Sequence, residues 1–337
     1  MIRFAWLQSR TQTLVSLALL AALAVAAAIT GVQLSHLYGS LVGHCRSGCG
    51  FATAEFLTHG HFMDHVLTTV TQLVPVLIGI FWGAPLLSRE LETGTFRLVW
   101  TQGVTRSRWL VTKLALVGLA AVAVAGFVTL TITWWYRVLD PLTTNQYAVF
   151  DSRDIAPIGY ALFAFAAGAL IGAIVPRIVP AMATTIGVFA IARVAVALWV
   201  RPRLLPATHT SVPLGPGQIV LRTTPLGSTL TVNSQGSGPS NSWTLSSQLV
   251  TTSGRVTSSG QVASFVQQRC PSVGSPSPNG SVNRTCLRHA LGFFHILVTY
   301  QPVSHYWTLQ WLETGVFFAL ALAAAAGCYW WVTRRII

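Results

Sequence analysis

The chain has 337 residues, of which 52% are hydrophobic and only 9% charged. A soluble chain of this length could hold two domains, but that balance excludes an ordinary globular core and indicates a polytopic membrane protein. The net charge of +13 is scattered over loops along the whole length, which argues against a nucleic-acid partner.

In chain order, Arg3 and Arg10 precede the first apolar run, Leu14–Leu34. A signal-peptide core is about 7–15 residues, so this longer run reads as a retained helix. Five further runs can each cross a hydrocarbon core of about 30 Å. They are Val66–Leu87, Trp109–Tyr136, Ala156–Val175, Ala181–Val200 and Thr314–Val332. Basic residues in short loops set the orientation. With the N-terminus inside, the inner segments hold Arg3, Arg10, Arg89, Arg97, Arg106, Arg108, Lys113, Arg177, Arg334 and Arg335. The short outer loops hold only Arg46, Arg137 and Arg153. Both termini are expected on the cytoplasmic side.

The first outer loop, Ser35–Asp64, is rich in histidine and carries Cys45 and Cys49. His61 and His65 stand at i, i+4, a spacing able to chelate a metal, and the two cysteines could add thiolates. No known zinc spacing is complete, so these are weak candidates and no metal is assigned. A small Cys45–Cys49 disulfide loop and ordinary loop histidines are the competing readings.

The loop between the second and third spans, Ser88–Lys113, is the most charged stretch of the chain. It holds Arg89, Glu90, Glu92, Arg97, Arg106, Arg108 and Lys113. Phe96, Val99 and Trp100 fall at i, i+3 and i+4, one face of a short amphipathic helix. Gly94-Thr95 can break the chain just before it. Further on, Pro176 and Pro180 frame a very short turn, so the fourth and fifth spans form an antiparallel hairpin.

Arg193 is the one charge well inside an apolar run, roughly 10 Å below the outer boundary. Such an arginine is costly unless relieved. One arrangement pairs it with Glu313, which opens the last span at the same face. In the other, Arg193 snorkels alone to headgroups and Glu313 is solvated at its helix start.

Residues 201–312 form the largest soluble piece, with seven arginines and no Asp or Glu. Alternation over Ile219–Leu221, Thr229–Val232 and Trp243–Leu245 predicts short strands. Gln261–Gln268 and Arg284–Val298 read as helices, with Cys270 and Cys286 placed to form a disulfide. General acid/base chemistry by carboxylates is excluded there. Tyr306, Trp307 and Trp311 form an aromatic belt before the last span.

The fold expected is an all-α polytopic membrane protein with six transmembrane helices and a small mixed α/β extracytoplasmic domain between spans five and six. Residues 1–200 carry spans one to five, with the loop 88–108 between spans two and three. Residues 201–312 form the outer domain, and 313–337 the sixth span and a cytoplasmic tail.

Glu90-x-Glu92-x-Gly94-Thr95, Leu98, Thr101, Val104-Thr105-Arg106 and Lys113 resemble the loop between spans two and three of type-2 ABC (ATP-binding cassette) export permeases. One departure is Gly103, where that family often has proline. Tyr300-Gln301-Pro302, Tyr306-Trp307, Gln310-Trp311 and Glu313-Thr314 are similar to the approach to the last span in actinobacterial members. The resemblance implies a bacterial plasma-membrane permease whose loop forms a coupling helix seated in a separate ATPase subunit. It makes Glu90, Glu92, Gly94, Thr95, Phe96 and Arg97 the candidate ATPase contacts. No G-x-x-x-x-G-K-[ST] occurs in the chain, so ATP and Mg belong with that partner and the permease itself is not an enzyme. Two ATPase copies and a second permease copy or paralogue would complete the transporter, in contact with membrane lipids. The other reading is a membrane-anchored sensor or assembly factor whose outer domain binds a ligand. An ion-coupled secondary transporter would need acidic residues within the spans, and none is expected there.

Overall fold

The computed structural model describes residues 2–43, 50–94, 105–140, 142, 145–224, 227–233, 238–270 and 284–335. Among them, six helical segments are long and apolar enough to cross a membrane. They are Ala18–Leu41, Gly50–Thr93, Ser107–Tyr136, Ala156–Ile174, Ile178–Arg203 and Val303–Arg335. Helices carry these runs because lipid offers no partner to backbone N–H and C=O groups.

The first two helices overrun the expected spans. Helix α1 covers Ile2–Leu41 and α2 covers Gly50–Ile78. The expected loop over Ser35–Asp64 is therefore mostly helix, and Cys45 and Cys49 lie outside the described residues. The reason is a buried stripe that average polarity conceals. Phe56, Gly60, Leu67, Thr71, Pro75 and Ile78 are the buried residues of α2, spaced close to the helical repeat. Phe56 meets Tyr38 of α1 edge-on, with ring centroids 5.7 Å apart.

A wide turn over Gly79–Gly83 joins α2 to α3, Ala84–Thr93. Such a turn, with i to i+5 hydrogen bonds, inserts extra backbone into a helix. Gly94 follows with φ +68°, the left-handed conformation that ends α3. The remaining helices of this unit are α4 (Arg106–Tyr136), α5 (Ala156–Ile174) and α6 (Ile178–Ala195). Helix α5 is the most buried of the spans. It crosses the wide turn backbone against backbone. A Cβ on Gly168 would lie 2.6 Å from the Gly79 oxygen, and one on Gly83 the same distance from the Phe165 oxygen. Only glycines permit that approach. Helix α6 starts at Ile178, with Pro180 in its first turn.

The chain divides into two compact units, one of Met1–Leu204 with Trp307–Ile337 and one of Leu205–Tyr306. The second contains a four-stranded antiparallel sheet in the order β1-β6-β4-β5. Its strands are β1 (Thr208–Pro213), β4 (Trp243–Thr251), β5 (Val256–Thr257) and β6 (Phe294–Gln301). A separate hairpin pairs β2 (Ile219–Thr224) with β3 (Gly227–Val232). Helix α7, Ser259–Arg269, begins at a reciprocal cap between Ser258 and Gln261.

Helix α8 covers only Arg284–Leu291, so the helix expected over Arg284–Val298 ends early. Gly292 interrupts it, and Phe294, Ile296 and Val298 then alternate inward as a strand. Val262, Val266, Leu287, Leu291, Phe294, Ile296 and Val298 form the core of this unit. The expected Cys270–Cys286 disulfide ties the end of α7 to α8. The last helix, α9, covers Tyr306–Arg335.

Candidate functional site

The site lies where α5, α6 and α9 end beside residues 145–155. Helix α9 starts at Tyr306, so Glu313 stands about two turns inside the helix instead of opening it. Its side chain is fully buried. This corrects the expectation that the spans hold no acid, and its partners show how a buried carboxylate is tolerated.

Arg201 grips Glu313 with two prongs, Nε to Oε2 at 2.5 Å and Nη2 to Oε1 at 2.7 Å. The Tyr160 hydroxyl of α5 donates to Glu313 Oε1 at 2.6 Å. Arg193 Nη1 donates to the same oxygen at 3.2 Å. Asp151 Oδ1 joins the two arginines, 2.7 Å from Arg193 Nη2 and 2.5 Å from Arg201 Nη2. The Arg193 guanidinium lies 3.9 Å over the Tyr160 ring, and that of Arg201 lies 4.4 Å over Phe150. Two guanidiniums and two carboxylates make a neutral set, the condition under which buried charges persist.

The set is graded in accessibility. The Glu313 side chain is 0% exposed and that of Arg201 9%, against 19% for Arg193 and 34% for Asp151. Burial pushes the Asp151 carboxyl up, but the charges of Arg201 and Arg193 outweigh it and hold the group below its usual range. Gln310 locks the surrounding backbone. Its Oε1 accepts from Ala156 N–H at 2.9 Å and its Nε2 donates to the Phe150 oxygen at 3.0 Å.

A wide turn over Val196–Val200 makes the double-arginine grip possible. In a regular helix, residues eight apart stand about 80° out of register. The slower winding of a wide turn brings Arg193 and Arg201 round to the same acids. A second ion group lies in the same segment, where Arg153 forks onto Asp140 at 2.7 and 3.2 Å. The Tyr136 hydroxyl hydrogen-bonds Asp64.

At the other end of the bundle, Lys113 pairs with Glu90, tying α4 to α3. Glu90 Oε2 is buried with no hydrogen-bond partner among the described residues. Glu92 Oε2 accepts from the Ile178 N–H at 3.2 Å, an acid placed on the N-terminus of α6. Glu90 therefore ties α3 to α4 across the segment from Gly94 to Thr105, and Glu92 ties α3 to α6. Thr95, Phe96 and Arg97 lie outside the described residues.

The His61 and His65 rings stand 4.4 Å apart. Among the described residues, no three His, Cys, Asp or Glu side chains gather to hold a metal. Sequence reasoning named Arg193 and Glu313 but missed Arg201, Asp151 and Tyr160. The available signal was scarcity: the chain has only eight acids, and Asp151 precedes a helix whose second residue is Pro157.

Residues 17–201 match the family model described as ABC-2 membrane transporter related. No curated protein and no solved structure matches the chain. The matched stretch is more than half the chain and runs from the first span to Arg201, so the protein belongs to the ABC-2 membrane transporter related family.

Proposed function

We propose that the chain is the membrane-spanning permease subunit of an ATP-binding cassette exporter. It moves an amphipathic or hydrophobic cargo outward by alternating access, driven by ATP and Mg bound in a separate ATPase subunit. The observation that carries this reading is the neutral cluster of Arg193, Arg201, Asp151 and Glu313. It binds α6, α9 and residues 145–155 to one another through groups that are tolerated in a buried site only together. Opening this junction exposes all four charges to water, which replaces the lost pairings, and closure expels that water. The junction therefore has two discrete states, as alternating access requires.

In this reading the junction faces the outer side and both termini are in the cytoplasm of a bacterial cell, which the excess of arginine in the inner segments supports. Arg193 and Asp151, the more accessible pair, part first. Arg201 and Glu313 act as the anchor of the gate.

The loop between Gly94 and Thr105 receives the ATPase at the opposite end. The Lys113–Glu90 pair and the Glu92 cap on Ile178 tie the Gly94 end of that loop, through α3, to α4 and α6. Movement of the loop is thus passed to spans two, three and five together. Thr95, Phe96 and Arg97 carry the ATPase contact, and the second oxygen of Glu90 accepts a further donor on engagement. Two ATPase copies and a second permease copy or paralogue complete the assembly.

Co-purification tests this. Phe96→Ala with Arg97→Ala should leave the permease in the membrane but lower recovery of the ATPase subunit about tenfold, by analogy with interface residues worth more than 1 kcal/mol. Full recovery together with undiminished cargo export would overturn the reading.

A further inference from the structure

We propose that Arg153 is a positioning residue for the cluster of Arg193, Arg201, Asp151 and Glu313, and that it acts through a strap, residues 150–156, by which α2 and α4 hold that cluster. The inference rests on the alternating-access reading above and adds the route by which the gate is driven.

Consecutive residues of the strap bond to different helices. The Phe150 carbonyl accepts from Gln310 Nε2 of α9 at 3.0 Å, and its ring lies 4.4 Å from the Arg201 guanidinium. Asp151 follows, bound to Arg193 and Arg201. Ser152 is buried, and its hydroxyl accepts from Gln72 Nε2 of α2 at 3.4 Å. Arg153 forks onto Asp140, just past the end of α4, at 2.7 and 3.2 Å. Its guanidinium also lies 5.3 Å from the Tyr136 ring of α4, and Tyr136 hydrogen-bonds Asp64 of α2. The Ala156 N–H closes the strap on Gln310 at 2.9 Å. One set of bonds thus holds α6 and α9, and the other holds α2 and α4.

The link between the two sets has little slack. Asp151 and Arg153 are two residues apart, so their Cα atoms stand at most about 7 Å from each other. The Arg153 fork is two-pronged, which fixes angle as well as length. Behind it the backbone turns at Asp154, where φ is +64°. A non-glycine residue holds that left-handed conformation only where its surroundings impose it. The Asp154 N–H meets Thr133 Oγ1 of α4 at 3.4 Å. A displacement of α4 that draws on Arg153 is therefore passed to Asp151. Asp151 joins both arginines of the gate, so its movement loosens Arg193 and Arg201 together. Bonded contact from one helix set to the other, ending on a junction with two states, is the physical requirement for coupling.

Hydrogen exchange of the full-length protein in nanodiscs tests this. Arg153→Lys keeps the charge but loses the fork. Amides of Val196–Val200 and of residues 310–314 should then exchange about fivefold faster or more, relative to residues 162–172 of α5 in the same sample. Asp140→Asn, which weakens the fork from the other side, should do the same. Two glycines inserted between Ser152 and Arg153 should accelerate the same amides, and Arg153→Lys in that background should add nothing further. Unchanged relative exchange at the gate in Arg153→Lys and Asp140→Asn would overturn the proposal. So would additive effects of the lysine and the insertion, because the fork would then reach the gate by another path. These measurements need no ATPase. A coupled gate together with failure of the Phe96 and Arg97 test would remove the exporter reading and keep the strap, and failure of the coupling alone would do the reverse.

Discussion

Glu313 and Arg193 were both conspicuous in the sequence, but their energetic roles differ. Glu313 is fully buried and serves Arg201, Arg193 and Tyr160 at once. Glu313→Ala leaves two guanidiniums sharing one carboxylate, and should cost about 3–5 kcal/mol. Arg193→Ala leaves the Arg201 fork and the Tyr160 hydroxyl on Glu313 intact, and should cost less, about 1.5–3 kcal/mol, the range of a hydrogen bond to a charged group. Thermal unfolding in detergent measures both. Equal losses for the two variants would show that the pairings do not act as a graded set. The sequence allowed either an Arg193–Glu313 pair or a lone snorkelling arginine. The structure sets the two groups 3.2 Å apart and adds two partners. Arg201 had looked like an ordinary residue at a span end, because its reach to Glu313 depends on a turn of non-standard winding.

Helical elements were easily recognised because their apolar runs are long, but irregularities within them were not. Neither of the two wide turns, Gly79–Gly83 and Val196–Val200, contains a proline, although Pro75 stands in α2 four residues before the first. The first serves close packing and the second aims Arg201. Gly168→Ala tests the packing, since its new methyl would sit 2.6 Å from the Gly79 oxygen. It should lower stability by about 1–3 kcal/mol through overpacking. Gly187→Ala is the control, because nothing lies within 4 Å of the position. There the change should be neutral or stabilising by up to about 1 kcal/mol, the helix-propensity gain. Matching melting temperatures for the two variants would count against the close-packed crossing. In the other unit, α7 was anticipated because its cap and periodicity are local. Strand β6 reads as helix over its first residues in the sequence alone, because its partners β1 and β4 are far away along the chain.

For the whole molecule, the Leu205–Tyr306 unit is small and gains from its cross-link. The disulfide closes a segment of 16 residues in sequence separation, worth roughly 3 kcal/mol on loop-entropy grounds. Cys270→Ser with Cys286→Ser should speed hydrogen exchange across α7 and α8 while the spans keep theirs. Unchanged exchange in α7 would show that the core alone holds that unit. The sequence by itself determined six spans, because hydrophobic length is a one-dimensional property that the bilayer thickness reads directly. It also determined which cysteines meet in the second unit, and which two charges lie nearest the apolar interior. Only the tertiary structure decided that Glu313 lies inside its helix, that Asp151 and Arg201 complete its neutralisation, and that Glu90 and Glu92 brace their own chain. Those outcomes depend on helix start, winding and crossing, which are fixed by packing between segments up to 160 residues apart. A buried charge is tolerated only where that packing delivers its partners.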